Sequence, residues 1–64
     1  MARYHTLVVK FNRDDAWSVQ FGDYDREVVA DERDDSYGDA YRTKIITTND
    51  DQASINEEVR RLNA

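Results

Sequence analysis

The apolar pattern changes period once, between Trp17 and Val29, and that change limits the folds open to this chain. From Trp17 to Phe21 apolar and polar residues alternate (Trp17-Ser18-Val19-Gln20-Phe21), as they do in a half-buried strand. From Tyr24 to Val29 the apolar residues gather behind an acidic cap, as they do where a helix begins. A strand therefore runs into a helix through Gly22, and the remaining elements are expected to pack around this pair.

Residues 3–11 also alternate, with Leu7, Val9 and Phe11 on one side and Tyr4, Thr6, Val8 and Lys10 on the other. Asn12-Arg13-Asp14-Asp15 is polar and turn-prone, so Ala16 to Phe21 should fold back as a hairpin. Pairing the apolar sides buries Leu7, Val9, Phe11, Trp17, Val19 and Phe21, and a one-residue slip would expose the aromatics. Asp23 is the expected N-cap of a helix from Tyr24 to about Tyr37, with Val28, Val29, Ala30 and Tyr37 as its thin apolar face. Gly22 offers φ freedom at the helix entry, and Gly38 fits a left-handed residue at its end.

Ala40 to Thr48 forms a third strand, whose pattern does not choose a buried side. A strand-helix-strand crossover places it beside the first strand, in order 2-1-3, with neighbours antiparallel. Asn49-Asp50-Asp51 caps a last helix carrying Ile55, Val59 and Leu62 at i, i+4 and i+7. The expected fold is α+β, a two-layer ββαβα domain over residues 1–64. Both helices are expected on one face of a three-stranded antiparallel sheet, the other face being open.

A chain of 64 residues buries only about 60% of its unfolded surface. It has no Cys, so no disulfide can staple so small a core, and a second copy is the simplest source of further burial. A homodimer is expected. The opening Met-Ala-Arg-Tyr-His-Thr lacks the apolar run of a signal peptide, and no segment reaches the ~18 apolar residues of a membrane span. A cytoplasmic location follows.

The net charge of -5 argues against wrapping nucleic acid, which draws on a surplus of cations. Charge is also unevenly placed. Residues 23–39 hold eight acids and two bases, a local -6, whereas residues 1–11 and 41–48 hold bases and no acid.

No catalytic signature is present. His5, the one histidine, has no Ser or Cys pattern around it and reads as a surface residue. The pairs Asp14-Asp15, Asp34-Asp35 and Asp50-Asp51 match no calcium loop, and turns or caps account for them, so neither metal nor cofactor is expected. A non-enzymatic binding role remains, with two candidate surfaces. On the open sheet face Tyr4, Thr6, Val8, Lys10, Ser18 and Gln20, with Arg42 and Lys44, would bring an aromatic, hydroxyls and cations together. Such a set can stack a base and neutralise a phosphate; pairing with another subunit is the plainer use of the same face. On the helix, Glu27, Asp31, Asp34 and Asp35 form a carboxylate stripe able to mimic a nucleic-acid backbone, unless it serves only to solvate the helix. Tyr24 and Arg26, at the helix entry, could stack on and pair with a bound anion, or merely support the cap.

The run Trp17-x-Val19-x-Phe21-Gly22-Asp23-Tyr24-Asp25-Arg26-Glu27-Val28-Val29, followed by Lys44-Ile45-Ile46 and a closing Arg61-Leu62-Asn63, resembles a group of very small proteins encoded by tailed bacteriophages and prophages. The resemblance implies no catalytic residues. It implies a phage accessory protein acting in the host cytoplasm, inhibiting a host protein or defence system by direct contact. Its alternatives are sequestering of a small nucleotide signal and acidic DNA mimicry.

Overall fold

The computed structural model describes residues 3–64. Its elements are β1 (Arg3–Lys10), β2 (Ser18–Asp23), α1 (Arg26–Ser36), β3 (Arg42–Asn49) and α2 (Gln52–Leu62). The strands form one antiparallel sheet in order β2-β1-β3, the α+β arrangement indicated by the sequence.

The central strand shows why both sheet faces are packed. Leu7 and Val9 point to one side, where they form the core with Val29 of α1, flanked by Phe21, Tyr37, Ala40 and Ile45. Thr6 and Val8 point to the other side and are buried too, as are Ile46, opposite Thr6, and Thr48, opposite Tyr4, on β3. Their cover is α2, whose Ile55 is buried and shares a cleft with Tyr4, Thr6 and Gly22. The far end of α2 is tied across the sheet by Asn63. Its side chain accepts from the Trp17 backbone N–H at 2.7 Å and donates to the Trp17 carbonyl at 3.2 Å.

The helices therefore lie on opposite faces, giving three layers instead of two and leaving no open sheet face. The reason is width. Two strand spacings span about 10 Å, room for one helix of about 10 Å diameter on each side.

A bulge reassigns the hairpin faces. Leu7 pairs with Phe21 but Val8 with Val19, so Gln20 is an extra residue in β2. Phe21 stays on the α1 side, whereas Val19 joins Val8 on the α2 side. The expected single apolar face of Leu7, Val9, Phe11, Trp17, Val19 and Phe21 is thus divided. Val19 on the edge strand is 49% exposed; Phe11, past the end of β1, is 45% exposed beside Tyr37; Trp17 is half-buried.

The glycines also differ from expectation, since neither has a positive φ. Gly22 is needed for room: a Cβ there would stand 2.5–2.8 Å from the Tyr4 ring and hydroxyl. The N-cap of α1 is Asp25, not Asp23. Asp25 accepts from the Glu27 N–H at 2.9 Å, while Asp23 accepts from the Asp25 N–H at 2.9 Å and shapes the approach. Tyr24 is left outside the helix. At the other end Tyr37 is the C-cap, and Ala40 turns back to bond its carbonyl, delaying β3 to Arg42. In α2, Asp51 is the cap, accepting from the Ser54 N–H at 2.7 Å and the Ser54 hydroxyl at 2.9 Å.

Candidate functional site

The two charged surfaces foreseen in the sequence fare differently. Glu27, Asp31, Asp34 and Asp35 are all exposed on α1. At 3.6 residues per turn they span an arc of about 100°, and buried Val29 lies about 170° from its centre. The stripe thus faces directly away from the sheet. Among the described residues its one ion pair is Asp34 with the adjacent Arg33, at 3.1 Å. Because residues 23–39 carry -6 of a total of -5, the rest of the chain carries +1. All of the net negative charge belongs to the α1 layer and its flanking turns.

The six residues expected to hold a small ligand do not converge. Tyr4 and Tyr24 meet edge to face, ring centroids 5.0 Å apart, and the Tyr24 hydroxyl donates to Asp50 at 3.1 Å. The hydrogen bond to Asp50, then the charge of that carboxylate, holds the Tyr24 hydroxyl above its ordinary pKa. Lys10 lies opposite Arg42, and Lys44 opposite Val8, towards the other end of the sheet. Lys10 is six residues along β1 from Tyr4, or about 20 Å. Arg26 is exposed on the first turn of α1, across the sheet from those three cations. The open face that was to unite this set is covered by α2.

The cations nevertheless form a group of their own. Lys10 and Arg42 are directly opposed, a repulsive cross-strand arrangement, and among the described residues neither they nor Lys44 has an ion-pair partner. The guanidinium of Arg42 sits 5.7 Å from the Tyr41 ring centroid.

The other polar residues have structural partners. Asp15 accepts from the Asn12 side chain at 3.0 Å in the hairpin turn, and His5 bonds the Thr47 hydroxyl at 2.9 Å across the sheet. Among the described residues no three His, Asp or Glu side chains are grouped to hold a metal ion. One feature had no signal in the sequence. Between the start of α2 and the β1/β2 half of the sheet lies a cleft lined by Thr6, Gly22 and Ile55, and Thr6 Oγ1 is buried with no hydrogen-bond partner.

Comparison with protein-family models, curated proteins and solved structures found no match to this chain.

Proposed function

We propose that this is a non-enzymatic, phage-encoded binding protein that inhibits a host protein by direct contact through the acidic face of α1. The observation carrying this reading is the outward carboxylate row, which concentrates the net charge of the chain and has almost no cation beside it. The complementary partner surface is basic. A host protein that binds nucleic acid is the form favoured by the charge pattern, the carboxylates standing where phosphates would. Nucleotide capture on an open sheet face loses its support, because Thr6 and Val8 lie under α2.

The test is capture of partners from a host lysate by the wild type and by the quadruple variant Glu27→Gln, Asp31→Asn, Asp34→Asn, Asp35→Asn. Loss of the wild-type partner in the variant is expected, together with salt elution of that partner from the wild type. A Lys10→Ala, Lys44→Ala variant should retain it. If the acidic variant captures the same partner undiminished, α1 is not the contact.

A further inference from the structure

We infer that β3 is a self-pairing edge: two copies of the chain join their β3 strands antiparallel about a two-fold axis at Ile45, merging their sheets into one. The two edges of the sheet are guarded differently. β2 is six residues long and broken by the bulge at Gln20, an irregularity of the kind that keeps an edge from pairing. β3 is eight residues long, pairs with β1 in unbroken register, and has no Pro and five β-branched residues. Among the described residues no strand pairs with its outer side. Helices already cover both sheet faces, so this edge is where a second copy extends the structure of so small a chain.

Charge selects the occupant. Lys44 is opposite Val8 and Arg42 opposite Lys10, so both cations stand on the α2 side of the sheet. Cations at an edge discourage indiscriminate pairing, and these two admit a strand flanked by acids. The other end of β3 has that flank. An open groove of about 420 Å³ lies there between residues 47–49 and α2, lined by Glu57 and Glu58. Glu58 holds Arg61 at 3.5 Å and keeps acceptor capacity for a second cation. Antiparallel pairing about a two-fold sets the axis perpendicular to the sheet, so both copies of α2 lie on one face. With the axis at Ile45, Lys44 comes opposite Ile46 of the second copy and Arg42 opposite its Thr48, beside its Glu57 and Glu58. The same contacts recur at the other end, as an isologous interface demands. No like charges are opposed along the pair. On the α1 side the two half-buried Ile45 side chains meet at the axis, and Thr43 meets Thr47. Both α1 helices then share the opposite face, with their carboxylate rows pointing the same way.

Self-pairing does not depend on the acidic face of α1, and its readout is mass, so its test and that of the proposed function fail separately. Sedimentation equilibrium of the full chain at micromolar concentration should give twice the 7.5 kDa of one copy. The variant Arg42→Glu, Lys44→Glu should be monomeric, as should Glu57→Lys, Glu58→Lys. An equal mixture of the two should restore the dimer, because each copy then meets opposite charge at both ends of β3. Where a charge variant fails to fold, cross-linking decides. Directly opposed residues have Cα atoms about 4.5–5.5 Å apart, within the reach of a disulfide. In a chain with no other Cys, Ile45→Cys should oxidise to a covalent dimer, and Val19→Cys on the opposite edge should not. A monomeric wild type, charge variants that stay dimeric, a mixture that stays monomeric, or an Ile45→Cys chain that forms no covalent dimer overturns the inference.

Discussion

α1 and α2 are both eleven residues long and both begin at an aspartate cap, yet they cover the sheet in different ways. α2 settles its charges internally. Glu57 takes Arg60 at 2.6 Å and Arg61 at 3.9 Å, and Glu58 takes Arg61 at 3.5 Å, while Ile55, Val59 and Leu62 face inward. α1 has one fully buried residue, Val29, leaves Val28 41% exposed, and stacks Glu27, Asp31 and Asp35 at successive i, i+4 positions. Like charges at that spacing destabilise a helix by about 0.2–0.5 kcal/mol per pair. α2 is built as a cover. α1 bears a repulsive outer face that, among the described residues, only the Arg33–Asp34 pair offsets, and a basic partner would offset the rest.

The largest effects should come from cutting the residue that anchors each helix. Val29→Ala and Ile55→Ala should each cost about 2–4 kcal/mol, close to the whole stability of a domain this small. Chemical denaturation measures both. If Ile55→Ala were neutral while Val29→Ala unfolded the chain, α2 would not be a true layer and the pairing of helices across the sheet would fail. A smaller effect of opposite sign is expected from the Glu27→Gln, Asp31→Asn, Asp34→Asn, Asp35→Asn variant. Relieving its like-charge pairs should raise the denaturation midpoint at low salt, by about 0.2–0.5 kcal/mol for each pair, and the gain should shrink as salt screens the wild type. The matching change in α2, Glu57→Gln, should lower the midpoint. The same sign in both helices would erase the distinction between them.

The contrast also explains which parts of the molecule the sequence disclosed. Strand order, the crossover and the carboxylate stripe follow from period and charge, which are local properties. The placement of α2 does not, because Thr6 and Thr48 read as polar although both are buried on the same face as Val8 and Ile46. The bulge at Gln20 leaves no mark in composition, yet it moves Val19 to the α2 side. The ligand set failed for a geometric reason. Tyr4 and Lys10 share a face by parity, but parity does not record that they stand at opposite ends of β1. Thr6 Oγ1 stands out only through what surrounds it, which a one-dimensional pattern does not carry.

The smallest expected effect separates the helices by pH. Ser54 holds the Asp51 carboxyl below its ordinary pKa, chiefly by donating its backbone N–H, and the Arg60 guanidinium does the same for Glu57. A carboxylate depressed in the folded state stabilises fully above its unfolded pKa, about 4, and that contribution is lost as pH falls through the lower folded value. Both groups are exposed, so solvent keeps the effect small. Acidification thus removes support from α2, where both of these carboxylates lie. Lowering pH from about 5 to about 2 should reduce the amide protection factors, exchange being taken relative to the intrinsic rate at each pH, in the first turns of α2 before those of Asp31 and its neighbours in α1. Asp51→Asn, which keeps a neutral capping acceptor, should blunt the response at Ser54. If both helices instead lose protection together, they open as one cooperative unit, and their difference lies in outward charge alone.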